Sequence, residues 1–302
     1  MVKLMTLKSL NTFLEIAAGK PKKKIAVAAA EDQPVLEAVS SAYNNGIIEP
    51  ILVGNEKTIK EISEKINFSL KGITLINETA PVKSSKICVE LIREDKAQII
   101  MKGMVNTADY LRAILDKDNG LRSGNLLSHI GFFETKSYHK LLALTDAAQN
   151  IAPTLEEKID IINNAVNCYH KLGVMEPKIA AIAAVETVNP KMEATIHAAL
   201  LTMMNKRKQI KGCIIDGPLG FDNAVSKEAA EHKGIKSDVA GDADLLFAPN
   251  IEVGNAIYKS FTYFGNATVA AIMLGAIVPV VLTSRTDTES SKLMSISLAA
   301  SY

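Results

Sequence analysis

Residues 24–53, KIAVAAAEDQPVLEAVSSAYNNGIIEPILV, decide the fold. They contain an apolar run of strand length, Lys24–Ala30, then a segment of helical periodicity, Gln33–Asn44, and then a second apolar run, Ile47–Val53. A short apolar run predicts a buried strand, whereas apolar residues spaced by three and four positions predict a helix. Strands joined through a helix pair in parallel. This stretch therefore predicts an α/β fold.

The same alternation continues along the rest of the chain. Helical periodicity recurs at Glu56–Ile66 and Val82–Glu94. Further apolar runs of strand length lie at Ile73–Ile76, Ala97–Met101, Leu126–Phe133, Lys140–Asp146, Lys178–Val185, Lys211–Asp216, Asp244–Ala248, Thr268–Leu274 and Val278–Thr283. We predict mostly parallel sheets covered by helices. With 302 residues and no long flexible linker, the chain is expected to form two α/β domains with the ligand site in their cleft.

Capping chemistry indicates where three helices begin. Asn189, which precedes Pro190, and Asp222 have side chains that accept hydrogen bonds from first-turn amides. Thr286 and Glu289 have the spacing of a capping box for the last helix.

Charge and hydropathy exclude several classes of protein. The formal net charge is +1, from 34 basic and 33 acidic residues, so we expect neither a nucleic-acid nor a membrane partner. Residues 1–20 lack the pattern of a signal peptide, and their apolar spacing predicts an amphipathic helix. The most apolar stretch, Val269–Thr283, is shorter than the ~20 residues that span a bilayer. Three widely separated cysteines fit a reducing compartment, so we expect a cytoplasmic protein.

Common catalytic motifs are absent from the sequence. There is no GxGxxG after the first strand, no GxxxxGK[ST], no HExxH and no GxSxG, so the usual dinucleotide, P-loop, zinc-protease and hydrolase sites are unsupported. The five histidines have no metal-ligand spacing, and we interpret them as structural.

The segment Val278–Asp287 carries the first candidate site. A buried strand runs into a polar tip, Ser284-Arg285, and then directly into a helix. Ligands of open α/β sheets bind beyond the carboxyl ends of strands, where a helix N-terminus also attracts anions. Arg285 can hold phosphate oxygens with two hydrogen bonds, and Ser284 can donate one from its hydroxyl. The alternative is a plain strand–turn–helix junction with a solvent-facing arginine.

Two further segments also end a strand with polar residues. Lys102 ends one apolar run, and Arg112 falls in the second turn of the following helix. Asn250 and Asn255 flank another helix start, where Gly254 permits a close backbone approach. The alternatives are a surface arginine on an amphipathic helix and asparagines that satisfy their own turn.

Several of these segments resemble the phosphate acetyl- and butyryltransferases, in the order of that family's motifs. The matching stretches are Met101-Lys102-Gly103, Thr107–Arg112, Gly120-Leu121-Arg122, Leu127-Ser128-His129, Val185–Met192, Asp216–Leu219, Asp222-Asn223-Ala224, Gly241–Asp244, Pro249–Glu252, Gly254-Asn255, Tyr258-Lys259-Ser260 and Leu282–Arg285. The resemblance spans roughly residue 20 to the end and is closer to the butyryl branch.

The resemblance implies a two-domain α/β/α fold of the isocitrate/isopropylmalate dehydrogenase type, with the active site in the interdomain cleft. Residues 1–128 plus 283–302 would form the first domain and 129–282 the second. It also implies reversible reaction of an acyl-CoA with phosphate, giving acyl phosphate and free CoA. CoA is then a substrate, no metal or bound cofactor takes part, and the chain is expected to form a homo-oligomer.

The resemblance also implies roles for individual residues. The family's active-site Ser-Arg pair falls on Ser284 and Arg285, and its helix-motif arginine falls on Arg112; Lys102, Asn250 and Asn255 are taken as further substrate-binding residues. The acetyl branch has a catalytic aspartate seven residues after the serine, where this chain has Ser291. We therefore assign the base to Asp287, with a rival role as an acid that favours the helix dipole.

Three alternatives stay open at this point. One is a phosphate acetyltransferase, and another is a non-catalytic acyl-CoA-binding protein on the same fold. The third is a metal- and NAD-dependent dehydrogenase, for which the acids in Asp238–Asp244 are the only candidate metal-binding cluster in the sequence.

Overall fold

The computed structural model describes residues 6–283 and 287–302. They form two compact units. The central unit contains the described residues up to Leu10 and Leu126–Val269, and the chain-end unit contains Asn11–Asn125 and Ala270–Tyr302. The predicted domain bounds remain a prediction. The units differ from them at the described residues up to Leu10 and at 126–128, which belong to the central unit. They also differ at 270–282, which pack with the chain ends because a strand there pairs with the fourth strand.

The chain-end unit alternates strands and helices as the sequence predicts. Its strands are β1 (Lys23–Ala28), β2 (Ile48–Gly54), β3 (Thr74–Asn77), β4 (Ile99–Lys102), β10 (Thr268–Leu274, which begins in the central unit) and β11 (Val280–Val281). Its helices are α1 (Asn11–Ala18), α2 (Gln33–Asn44), α3 (Glu56–Lys65), α4 (Pro81–Arg93), α5 (Thr107–Ile114) and α11 (Glu289–Ser301). The strand order is β3-β2-β1-β4-β11-β10, and only β10 is antiparallel to its neighbour β11.

The central unit repeats the design around a second set of strands. These are β5 (Ser128–Glu134), β6 (Leu142–Thr145), β7 (Lys178–Ile182), β8 (Ile214–Leu219) and β9 (Leu245–Phe247), in the order β5-β6-β9-β7-β8. Its helices are α6 (Leu155–Lys171), α7 (Glu193–Lys206), α8 (Phe221–Val225), α9 (Lys227–His232) and α10 (Ile251–Tyr263). β5 is antiparallel to β6, and the other pairs are parallel.

The predicted class, α/β with mostly parallel strands, is confirmed. The inner strands β1 and β4 are buried on both faces: the residues from Ile25 to Ala28 and from Ile99 to Met101 are fully buried. Such burial explains why these strands read as continuous apolar runs and not as alternating ones.

Helix boundaries differ from the predictions at several points. The N-terminal helix begins only at Asn11, because residues 6–9 run as irregular chain and the carbonyl oxygen of Leu7 accepts a hydrogen bond from the amide of Leu141 at 2.8 Å. α7 begins at Glu193, beyond Asn189, whose side chain accepts from the amide of Lys191. The helix predicted after Asp222 is two short helices that break at Ser226.

The three cysteines are buried and unpaired with one another. Burial raises the pKa of the Cys168 and Cys213 thiols to about 12, so both stay protonated at neutral pH and behave as small apolar groups. Within the residues that the structure describes, no helix has both the length and the apolar character needed to cross a bilayer.

Candidate active site

The chain-end unit has a topological switch point between β1 and β4. β2 and β3 lie on one side of β1, whereas β4 and β11 lie on the other. Connections therefore leave the two central strands in opposite directions, and a crevice forms outside their carboxyl ends. Open α/β sheets bind ligands at such a point, so the residues after β1 and β4 are the first candidates for a site.

Gly103 lets these two strand ends come close together. Its amide donates to the carbonyl oxygen of Ala28 at 2.8 Å, and the amide of Met104 donates to that of Ala29 at 2.7 Å. A Cβ on residue 103 would overlap the carbonyl oxygen of Ala29. The glycine of the Lys102-Gly103 motif is therefore required by backbone packing, which builds the wall of the switch point.

Lys102 is the last residue of β4 and is buried at this wall. The residue is 6% exposed, and its Nζ donates to the carbonyl oxygen of Gly103 at 3.2 Å. Lys102 thus lies at the carboxyl edge, as its position in the sequence predicted, and it brings a buried amine there. Its role in binding substrate stays a prediction.

β11 pairs with β4, and α11 is the next element along the chain. Val281 is in register with Met101, and the two strands are parallel. Ser284 and Arg285, the predicted catalytic pair, lie outside the described residues. The structure resumes at Asp287, a partly exposed residue directly before the N-cap of α11.

The N-cap of α11 is Thr288 and not Thr286, which lies outside the described residues. The side chain of Thr288 accepts from the amide of Ser291 at 3.1 Å. Ser291 occupies the position of the acetyl branch's catalytic aspartate, and here it is buried within the first turn of the helix. A serine side chain has no carboxylate, so Ser291 cannot act as the base that the resemblance implies at this position.

Arg112 lies on an exposed face and not among the residues at the strand ends. Its side chain is 74% exposed and forms an ion pair with Asp109. Both residues line a cavity of about 340 Å³ between α4 and α5, which is at the small end of ligand pockets. Two cations, Lys86 and Arg112, and three carboxylates, Glu90, Asp109 and Asp116, share its wall.

In the central unit, Asn250 and Asn255 both make structural hydrogen bonds. Asn250 is the N-cap of α10, and its Oδ1 accepts from the amide of Val253 at 3.1 Å. Asn255 donates from Nδ2 to the carbonyl oxygen of Ala147 at 3.2 Å. The structure therefore gives both residues the structural role that had been left open, and their binding of a ligand stays a prediction.

The start of α10 packs directly on the loop that follows β6. A Cβ on Gly254 would overlap the carbonyl oxygen of Asp146, which explains the glycine in this motif. Asp146 is buried, and its carboxylate accepts from the amides of Ala148, Gln149 and Asn150 at 2.9–3.3 Å. β6 and β9 are parallel neighbours, so this loop and Asn250 share the carboxyl edge of the central unit's sheet.

Two of the three acids in Asp238–Asp244, Asp242 and Asp244, form ion pairs at the opposite edge of that sheet. Lys140 Nζ lies 3.0 Å from Asp242 and 2.6 Å from Asp244, and Lys178 Nζ lies 2.6 Å from Asp242. Among the described residues no group of three or more His, Cys, Asp or Glu side chains is arranged to hold a metal ion. The cluster on which the dehydrogenase alternative depended is therefore a charge network that ties β6, β7 and β9 together.

Comparison with known proteins decides the family. The family model for phosphate acetyl/butaryl transferase matches residues 9–87 and 78–300, nearly the whole chain. The chain belongs to this family. Membership makes the chain an acyltransferase, and the family predicted from the sequence motifs is confirmed.

Individual relatives of this acyltransferase cover both branches of the family. It is 48% identical to the phosphate butyryltransferase of Clostridium acetobutylicum, over 97% of this chain and 98% of that protein. It is 42% identical to the phosphate acetyltransferase of Thermotoga maritima, over 97% of this chain and 99% of that protein. Among solved structures, a branched-chain phosphotransacylase from Enterococcus faecalis V583 superposes with a TM-score of 0.83 at 33% identity, covering 92% of this chain and 98% of that one.

Sequence reasoning missed two residues at these edges. Asp146 ends a predicted strand, and its carboxylate orders the loop beside α10. Lys292 is fully buried near the start of α11. The signal for Lys292 was present, because it is the one charged residue of the acyltransferase between Glu289 and the C-terminus. Beyond Glu289 at its first position, Lys292 is the one charged residue of this helix, and lysines are rarely fully buried unless they are paired.

Proposed function

We propose that this acyltransferase moves a short-chain acyl group, butyryl by preference, reversibly between CoA and inorganic phosphate. In one direction a phosphate oxygen attacks the thioester carbon, the C–S bond breaks, and acyl phosphate and CoA are formed. In the other, the CoA sulfur attacks the acyl carbon, its proton passes to a base, and phosphate leaves. The observation that carries this proposal is the family match over nearly the full chain.

The structure supports a location for this chemistry at the switch point of the chain-end unit. Lys102 and the N-terminus of α11 lie at the carboxyl edge of one sheet, and both attract anions. We assign Arg285 and Arg112 to the phosphoryl oxygens and Ser284 to the oxyanion or the phosphate. We assign Asn250 and Asn255 of the central unit to substrate binding as well.

The reaction needs help in forming the thiolate. A free thiol has a pKa near ~8.5, so a base or a positive field must favour its ionised form at neutral pH. We assign the base to Asp287, which precedes the N-cap of α11. Ser291 cannot supply this function at the position that the acetyl branch uses.

The test is thiol release from acetyl-, propionyl-, butyryl- and isobutyryl-CoA, each with and without inorganic phosphate. Phosphate-dependent release, fastest with butyryl-CoA, is expected. A ranking led by acetyl-CoA would assign the chain to the acetyl branch, to which it is nearly as similar. Binding of acyl-CoA without release from any of the four would favour the non-catalytic alternative.

We also propose that the enzyme is cytoplasmic, uses no bound cofactor or metal, and forms a homo-oligomer. Activity that survives dialysis against a chelator would support the second point, and light scattering in solution would test the third.

A further inference from the structure

α11 contains a fully buried lysine. Lys292 lies in the first half of the helix, is 2% exposed, and donates from Nζ to the carbonyl oxygen of Asp287, which precedes the helix. Side chains of a helix lean towards its N-terminus, which brings this ammonium group to the helix start. Moving an ammonium group out of water is costly unless a negative charge compensates it.

Two other buried lysines of the chain, Lys140 and Lys158, show how such a charge can be compensated or avoided. Lys140 contacts two carboxylates, those of Asp242 and Asp244. Lys158 lies 2.8 Å from Nδ1 of His197, and burial lowers its pKa, which favours a neutral amine. Lys292 has only a neutral carbonyl as partner, and it forms no ion pair with any carboxylate in residues 6–283 and 287–302.

The surroundings of Lys292 add positive potential. α11 has 13 residues, and the partial positive charge of its N-terminus lies where Nζ points. Glu289, the acid of its first turn, is exposed and does not pair with Lys292. The helix follows β11, whose carboxyl end is in register with that of β4 and Lys102. The ammonium group of Lys292 thus lies at the N-terminus of a helix, and the strand before that helix ends beside β4.

We propose that Lys292 binds the phosphoryl group of inorganic phosphate and of the acyl phosphate. This inference rests on the proposed function and adds a substrate-binding residue to it. A phosphoryl dianion supplies the ion pair that the described residues do not, and it accepts the hydrogen bonds that the single carbonyl leaves to the ammonium group. The acyl thioester is uncharged at its reacting end, where the phosphates of CoA do not lie, so Lys292 acts on the phosphoryl group and not on the acyl group.

The test compares wild-type enzyme with Lys292→Met, which keeps the length of the side chain and removes the charge. An apolar side chain in place of a buried charge should leave stability unchanged or raise it. The KM for phosphate should rise about tenfold or more, whereas the KM for acyl-CoA should change by less than about twofold. The rise in melting temperature that inorganic phosphate produces in the wild type should be lost.

Two further variants keep the test decisive. Lys60→Met removes one positive charge from an exposed position and should leave both KM values and the phosphate-induced shift as they are. Lys292→Gln replaces Lys292→Met if the latter does not fold. An unchanged KM for phosphate together with an unchanged thermal shift overturns the inference, as does a loss of stability with wild-type KM values. Wild-type enzyme without phosphate-dependent thiol release refutes the proposed reaction, and the thermal-shift comparison still decides the role of Lys292.

Discussion

The amide of Gly103 donates to the carbonyl oxygen of Ala28 at 2.8 Å, and this contact joins the ends of β4 and β1. The two strands are parallel, and their connections to the next strands run in opposite directions across the sheet. The wall of the candidate site between them is backbone on both sides. Residue 103 has no room for a side chain, because the carbonyl oxygens of Ala28 and Ala29 fill the space that a Cβ would take.

Gly103→Ala should lower the free energy of unfolding by about 1–3 kcal/mol, because a rigid backbone carbonyl must move to admit the methyl group. Gly19→Ala is the matched control, since a Cβ there makes only ordinary contacts of 3.6 Å. Urea denaturation of both variants measures the difference. Equal stabilities of the two variants would contradict the packing argument.

Tyr110→Phe should raise the free energy of unfolding by about 1 kcal/mol. The hydroxyl of Tyr110 is buried and has no hydrogen-bond partner among the described residues. Its removal therefore eliminates a desolvation cost that no hydrogen bond offsets. Tyr169→Phe is the opposite control, because that hydroxyl donates to the carbonyl oxygen of Asp244 at 2.7 Å. Urea denaturation measures the free energy of unfolding of both variants. A change of the same sign in both would contradict this account.

The charge network around Asp242 should contribute stability that depends on pH. Burial raises the pKa of Asp242, but hydrogen bonds from Lys178, Lys140 and His139 outweigh it and hold the pKa well below its usual range. A carboxyl group with a lowered folded-state pKa stabilises the protein above its unfolded pKa of ~3.9, and that stability is lost as the pH falls further.

Asp242→Asn should therefore be less stable than wild type at pH 7, and the difference should shrink as the pH falls from about 4 to 2. Asp118→Asn, which changes an exposed acid, should show no such convergence. Denaturant unfolding across this pH range measures both curves. A difference that stays constant with pH would show that the carboxylate charge of Asp242 is not responsible.

Arg285→Ala should lower kcat by roughly 100-fold, the usual effect of losing one hydrogen-bond donor to a developing negative charge. Arg285→Lys should restore little, because an ammonium group cannot form the paired hydrogen bonds of a guanidinium. Arg207→Ala, an exposed position after α7, controls for the loss of an arginine. Unchanged turnover in Arg285→Ala would refute the assignment.

Asp287→Asn distinguishes the two roles left open for this acid. If Asp287 is the base, kcat for the conversion of acyl phosphate and CoA into acyl-CoA and phosphate should fall by roughly 100-fold or more. The acid limb of the pH–rate profile should also disappear. Glu289→Gln, an exposed acid in the first turn of α11, should keep its activity. If Asp287 only favours the helix dipole, both variants should keep their turnover and lose about 0.5 kcal/mol of stability.

The sequence by itself determined the order of strands and helices and the family. Apolar runs such as Lys24–Ala30 and the 3.6-residue periodicity of Gln33–Asn44 are local properties, so each element could be predicted from its own residues. The motif Met101-Lys102-Gly103 also predicted the end of a strand, which the structure places at Lys102.

Only the tertiary structure decided what the polar residues contact. Asn255 donates to the carbonyl oxygen of Ala147, Asp242 pairs with Lys140 and Lys178, and Lys292 is buried near the start of α11. These outcomes depend on partners far apart in the chain or on burial by neighbouring elements, which no local pattern records. Hydrophobic periodicity specifies which face of an element is buried, whereas the partner of a charge is set by the packing that follows.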